Sequence, residues 1–150
     1  MELQELYNIK KGEKYYGNDK FNPIWNPNKN AFKGKVYLII DPFVASAGSL
    51  FASLVKSDEN TILVGRETLG GYYEHTGFYP LTYQLPNSKL EVTFSIVNVK
   101  QDVKILGDEK IGDGVKPDFE IKKTLESLTT KEDIELNYII NKIKTAGNKV

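Results

Sequence analysis

The sequence contains no cysteine and one histidine among its 150 residues. Without cysteine, neither a disulfide nor a thiolate metal site is possible. The single histidine, His75, has only Glu74 beside it as a potential carboxylate ligand, so we expect no metal site. Nothing in the sequence indicates phosphate binding, and we expect no cofactor.

The chain also lacks net charge and long apolar runs. It carries 20 Lys and Arg against 20 Asp and Glu, so its long-range field is weak and predicts neither nucleic acid nor an anionic membrane as partner. The apolar runs are far shorter than the roughly 20 residues that cross a bilayer. The polar start, residues 1–6, lacks the apolar core of a signal peptide. The length suffices for one core that buries roughly 70% of the surface of the unfolded chain.

What the sequence does contain is a strand-to-helix pattern. The apolar runs Val36–Ile40 and Thr61–Gly65 predict buried strands, and the segment from about Ser46 to Ser57 predicts a helix between them. This order favours an α/β fold with a parallel crossover, whose ligands gather at the carboxyl ends of the strands. The face of this helix predicted to pack against the sheet consists of Leu50, Phe51, Leu54 and Val55.

Ser46 lies at the junction of the first strand and the helix, among small residues. Two interpretations are open on the residues alone. Ser46 is a helix N-cap, or it is an exposed nucleophile. In the second case the free Ala47 N–H at the helix N-terminus would donate to an oxyanion.

Three blocks of the sequence favour the second interpretation. Ser46–Ala52, Ile62–Gly71 and Gly114–Ile121 resemble, in the same order, three segments of the tail-specific, or C-terminal processing, peptidase family. The resemblance implies a serine endopeptidase that forms an acyl-enzyme on Ser46, with Ala47 in the oxyanion hole. It also implies an α/β domain with the ClpP/crotonase-like spiral of β-β-α units, of which this chain would be the C-terminal part. Ser49 stands where the family has a glutamate.

The second block departs from the main branch of the family, in which a lysine acts as general base. Gly71 occupies that position, and the pair Gly70-Gly71 resembles the tricorn-core-like branch, which lacks the lysine. In the proteolytic members of that branch a histidine is the base, supported by a carboxylate near the third block. His75 is therefore the candidate base here, with a packing role as the alternative. The candidate supporting carboxylates are Glu109, Asp113 and Asp118, although Asp118 is rather expected to fix the turn before the last strand.

The segment from Gly70 to Pro86 combines two glycines with a dense set of aromatic residues. We interpret it as a substrate wall or as a hairpin with one packed face. In the first case the substrate-binding residues are Gly70, Gly71, Tyr72 and Tyr73. Alternation from Lys89 to Val99 predicts a strand with an inward row of Leu90, Val92, Phe94 and Ile96. A last helix is predicted from about Lys131 to Thr145, after a capping box of Thr130 and Asp133.

Residues 34–150 are predicted to form the α/β domain, and residues 1–33 an irregular extension, because Lys10–Lys33 is rich in Asn, Gly and Pro. The resemblance implies an upstream segment of the same polypeptide as partner, so we expect this chain alone to be incomplete and inactive. It also suggests an extracytoplasmic full-length protein. A peptide or protein is the expected substrate. The apolar side of the last helix is expected to cover either the sheet or a second subunit, and the second case would make a homo-oligomer. The alternative function is a non-catalytic module on the same fold that binds a hydrophobic ligand or a peptide.

Overall fold

Short local elements begin the chain. The structure is a computed structural model, and it describes residues 3–18, 24 and 26–147. The chain divides into two compact units, residues 1–33 and 34–150. The first unit contains helix α1 (Leu3–Leu6) and the antiparallel strands β1 (Ile9–Lys11) and β2 (Lys14–Tyr16). This hairpin lies in the segment predicted to be irregular. It forms because Gly12, at φ 62°, supplies the left-handed turn residue.

The second unit is built on a parallel β-α-β arrangement. Its elements are β3 (Val36–Ile40), α2 (Ala47–Lys56), β4 (Thr61–Gly65), β5 (Glu74–Gln84), β6 (Glu91–Lys100), β7 (Phe119–Glu120), α3 (Leu125–Thr130) and α4 (Ile134–Gly147). Strand β4 pairs in parallel with β3 on one side and with β7 on the other. The two strands and the helix predicted from the first apolar runs are thereby confirmed. Strand β7 is a two-residue edge strand, which pairs with Val64 and Gly65 of β4.

Helix α2 packs through small residues. A buried cluster is formed by Ile40, Ala52, Leu63, Tyr72 and Val115. The buried residues of α2 are Ser49, Ala52 and Ser53, whereas Phe51 and Leu54 are 55% and 45% exposed. The predicted orientation of the helix was therefore wrong for these two residues. Small side chains let the backbone of the neighbouring loop approach the helix, and this contact decides the rotation of α2.

Strands β5 and β6 form an antiparallel hairpin. The pairs Leu81↔Phe94 and Tyr83↔Val92 put large apolar side chains on one face, as the alternation predicted. The inward orientation of that row was wrong: Leu90 is 65% exposed and Phe94 49%. The pattern of a strand fixes which residues share a face, but it does not supply the layer that covers them.

The helix predicted near the end forms as α4, and an unpredicted helix, α3, precedes it. Thr130 is the last residue of α3 and its hydroxyl donates to the Glu126 carbonyl at 3.0 Å, so the predicted capping box of Thr130 with Asp133 is wrong. Thr124 caps α3 in a capping box with Ser127, and Lys131 ends α3 in the left-handed conformation at φ 55°. Asp133 then caps α4, accepting the Leu136 N–H at 2.9 Å. The last helix therefore starts three residues later than predicted, after Asp133. No helix in the described part of the chain is long and apolar enough to cross a membrane.

A buried ion pair fastens α2 to the loop before β7. Lys56 Nζ lies 2.8 Å from Glu109 Oε1, with side-chain exposures of 11% and 0%. Lys56 Nζ also donates to the Lys116 carbonyl at 2.7 Å and lies 5.9 Å from the centre of the Tyr72 ring. Glu109 Oε2 is buried without a hydrogen-bond partner. The Lys56 ammonium therefore offsets most of the free-energy cost of burying the Glu109 carboxylate.

Lys56→Met is expected to lower the free energy of unfolding by about 3–5 kcal/mol, because it leaves the Glu109 carboxylate buried and unpaired. Adding Glu109→Leu should recover most of the loss. Lys122→Met is the control, since Lys122 and Glu120 lie 3.9 Å apart with side chains 81% and 61% exposed, and it should cost under about 1 kcal/mol. Urea unfolding measures all three. Similar losses for Lys56→Met and Lys122→Met would contradict the assignment.

Candidate active site

Ser46 is exposed and strained. Its backbone has φ 51° and ψ −126°, and although it occupies the N-cap position of α2, its side chain makes no capping hydrogen bond. No described residue forms a hydrogen bond with its hydroxyl. A non-glycine residue at positive φ costs roughly 1–3 kcal/mol and persists only where the surroundings hold it. The structure thus gives no support to the simple N-cap interpretation and presents a free hydroxyl.

Contacts on both sides hold Ser46 in this conformation. After it, the Ser46 carbonyl accepts the Leu50 N–H at 3.0 Å and the Ser49 hydroxyl at 2.9 Å. Before it, the Val44 carbonyl accepts the N–H groups of Leu69 at 3.0 Å and of Gly70 at 3.3 Å. The segment around Ser46 is therefore clamped between its own helix and the loop that follows β4.

Gly70 is required by the closeness of this contact. A Cβ at Gly70 would overlap the hydroxyl oxygen and Cβ of Ser49, and it would lie 3.3 Å from the Ser46 nitrogen. A residue without a side chain lets the loop pass this close to the helix N-terminus. Gly70 therefore lies beside Ser46, and Gly71 is the next residue of the same loop. No observation tests whether they contact a substrate.

The third sequence block completes the clamp. The Thr68 N–H donates to the Val115 carbonyl at 3.2 Å, and Thr68 Oγ1 accepts the Val115 N–H at 2.9 Å. The Thr68 hydroxyl in turn donates to the Gly70 carbonyl at 2.7 Å, and Gly71 forms an isolated bridge with Gly114. The third block thus holds the loop of the second block that contacts the segment around Ser46.

Ala47 is the first residue of α2, so its N–H has no acceptor within the helix. It is exposed, and no described residue accepts from its N–H. The positive end of the helix dipole favours negative charge at this place. The Ala47 N–H therefore remains available to an oxyanion formed at Ser46.

The structure assigns Tyr72 and Tyr73 to packing. Tyr72 is 0% exposed and belongs to the core cluster, with its hydroxyl donating to the Lys104 carbonyl at 2.9 Å. Tyr73 is half-buried, and its hydroxyl donates to the Leu106 carbonyl and accepts the Leu106 N–H. The predicted substrate contact of Tyr72 is wrong, because a completely buried ring is out of reach of a substrate. The Tyr73 hydroxyl is likewise used to hold the backbone of Leu106.

His75 is held by a residue that the sequence analysis missed. Its Nδ1 lies 3.2 Å from Nε2 of Gln101, and the Gln101 carboxamide also bonds the Gly71 carbonyl and the buried Ser53 hydroxyl. No hydrogen bond joins His75 to Ser46. The role of His75 as general base stays a prediction. No sequence motif marks Gln101, because its contacts arise only when β5 and β6 pair.

The three candidate carboxylates bond to other groups. Glu109 pairs with Lys56, and Asp113 pairs with Lys116 at 2.9 Å. The Lys116 ammonium, followed by the Lys110 N–H, lowers the pKa of Asp113. Asp118 Oδ2 accepts the Leu63 N–H of β4 at 2.7 Å, so it ties the approach to β7 to the neighbouring strand and does not form the local turn bond that was expected. None of them contacts His75, and no group of three or more acidic or histidine side chains in the described part of the chain could hold a metal ion.

A second pair missed by sequence reasoning stands at the ends of the parallel strands. Asp41 directly follows β3 and Arg66 directly follows β4, and Ile40 pairs with Gly65. Asp41 Oδ1 accepts the Phe43 N–H at 3.0 Å, and Oδ2 lies 2.7 Å from Arg66 Nη2. The Phe43 N–H, and after it the Arg66 guanidinium, lowers the pKa of Asp41. The sequence signal for this ion pair was an acidic and a basic residue, each directly after one of two adjacent predicted strands.

Comparison with known proteins finds a family that the chain matches. A model of peptidase family S41 matches residues 3–121, a range that contains all three sequence blocks. Comparison with curated proteins gives no match.

Gly70→Ala is expected to lower the free energy of unfolding by about 1–3 kcal/mol, because the new methyl group must displace Ser49 or the loop. Gly107→Ala is the matched control, since the corresponding Cβ would meet open space and the φ of Gly107 lies outside the left-handed region. Urea denaturation measures both. Equal effects of the two substitutions would show that the loop does not depend on the close contact.

Proposed function

The chain belongs to peptidase family S41, and from that premise we propose that Ser46 is the nucleophile of a serine peptidase that cleaves peptide substrates. The observation that carries the proposal is the exposed, unpaired hydroxyl of Ser46 at φ 51°. A serine held at positive φ between a strand and a helix projects its oxygen away from the backbone, as in nucleophile elbows. The clamp by the other two family blocks supports the same role.

In the proposed reaction, Ser46 Oγ attacks the carbonyl carbon of the scissile peptide bond. The hydroxyl proton passes to a general base and then to the departing amine, while the carbonyl oxygen becomes an oxyanion that accepts the Ala47 N–H. The C–N bond breaks and leaves an ester on Ser46. Water then attacks this ester, which releases the acid and restores the serine.

Two finer statements belong to the same proposal. We assign the peptidase to the C-terminal processing type, because its three blocks resemble that group in order. We also propose the ClpP/crotonase-like spiral as the fold, which the parallel β3-α2-β4 unit supports. The non-catalytic binding module is the less favoured function, because it leaves the strain and exposure of Ser46 without a purpose.

A fluorophosphonate probe tests the proposal in the protein expressed from its complete gene. The probe is expected to form an adduct that peptide mapping places on Ser46, because a nucleophilic serine attacks the phosphorus as it would a carbonyl. Ser46→Ala should abolish the adduct, whereas Ser88→Ala, in the turn between β5 and β6, should retain it. An adduct at another residue, or none on a folded protein, would refute the assignment.

A further inference from the structure

The pairing of β5 with β6 brings Gln101 and His75 together. His75 is opposite Val99, and the Gln101 N–H continues the ladder by donating to the Tyr73 carbonyl at 2.9 Å. Residues two positions apart on a strand share a face. Gln101 and His75 are therefore diagonal neighbours on one face, within reach of a side-chain hydrogen bond.

The surroundings of Gln101 fix which way its carboxamide points. Its Nε2 lies 3.1 Å from the Gly71 carbonyl, which can only accept a hydrogen bond. The group facing Gly71 must therefore be the NH₂ group. On the other side, Gln101 Oε1 lies against the hydroxyl of Ser53, which is completely buried and also lies 2.8 Å from the Leu50 carbonyl. The one hydrogen of that hydroxyl serves only one of these two oxygens, so the Gly71 contact carries the orientation. Reversing the amide would place two oxygens against each other at Gly71.

This orientation decides the state of the imidazole. The NH₂ group has two hydrogens: one meets the Gly71 carbonyl, and the other points to His75 Nδ1 at 3.2 Å. Nδ1 must then accept, so it carries no hydrogen. We infer that Gln101 is a positioning residue that holds neutral His75 in the tautomer with its hydrogen on Nε2.

A ring nitrogen that carries a hydrogen donates a hydrogen bond and cannot take the proton of a serine. In this state His75 presents Nε2–H, which bonds to no described residue, from a half-buried ring. His75 then serves as a donor to a carbonyl oxygen of the bound peptide and leaves the base to another group. This role rests on the proposed function, whereas the tautomer does not.

Nitrogen NMR tests the tautomer directly, because the chain has one histidine and so one imidazole spectrum. At about pH 8.5, above the ordinary pKa of an imidazole, the wild type should carry its hydrogen on Nε2, with Nδ1 a hydrogen-bonded acceptor. Gln101→Glu should move the hydrogen to Nδ1, changing the tautomer ratio by about tenfold or more, because a carboxylate accepts where the amide donated. Gln101→Leu should remove the hydrogen bond to Nδ1.

Gln84→Glu is the control, since Gln84 pairs with Glu91 at the far end of the hairpin and should leave the spectrum unchanged. A wild-type hydrogen on Nδ1 would overturn the inference, as would a folded Gln101→Glu variant with the wild-type spectrum. If Gln101→Glu does not fold, the spectra of the wild type and of Gln101→Leu decide which nitrogen of His75 carries the hydrogen and whether Gln101 bonds to Nδ1.

The donor role has its own test in the complete gene product. His75→Gln keeps an N–H group near the Nε2 position but cannot act as a base, so the rate of fluorophosphonate labelling should stay within about tenfold of wild type. His75→Ala should lose clearly more. Equal losses in the two variants would overturn the donor role. A wild type without an adduct would refute the peptidase assignment, while the NMR result would still decide the tautomer.

Discussion

The arrangement depends on one constraint, the backbone of Ser46 at φ 51° and ψ −126°. An unsupported serine would relax from this conformation, which costs roughly 1–3 kcal/mol. Hydrogen bonds to the carbonyls of Val44 and Ser46 prevent the relaxation. The contacts between the first two sequence blocks therefore hold the strained conformation, and the third block supports them through Thr68.

The same constraint accounts for the unusual packing of α2. A loop that must reach the helix N-terminus needs small residues on both sides of the contact, and Gly70 meets Ser49 there. Ser53, one helical turn further on, accommodates Gln101 in the same way. The side of α2 that faces the rest of the domain consists of the small residues Ser49, Ala52 and Ser53. Large apolar residues such as Phe51 consequently point to solvent.

Sequence patterns predicted the features that depend on residues close together in the chain. The limits of β3 and β4 follow from short apolar runs, and their parallel pairing follows from the intervening helix. The resemblance of the three blocks identified the family. The rotation of α2 was mispredicted because hydrophobic spacing was weighed without the close loop contact.

Other features depend on contacts that only the fold creates. The exposure of the β5–β6 row depends on what covers it, which no alternation encodes. Tyr72 was placed with the substrate because an aromatic residue after two glycines suits a binding wall as well as a core. The contacts of Gln101 arise from strand register, and those of Asp41 and Arg66 from adjacent strand ends.

The most direct measurement of the central constraint is the stability of Ser46→Gly relative to wild type. Glycine adopts positive φ without strain, and Ser46 makes no capping bond to lose, so the variant should be more stable by about 1 kcal/mol in urea unfolding. Thr124→Gly, which removes the real cap of α3, should be less stable than wild type. A Ser46→Gly variant less stable than wild type would contradict the account.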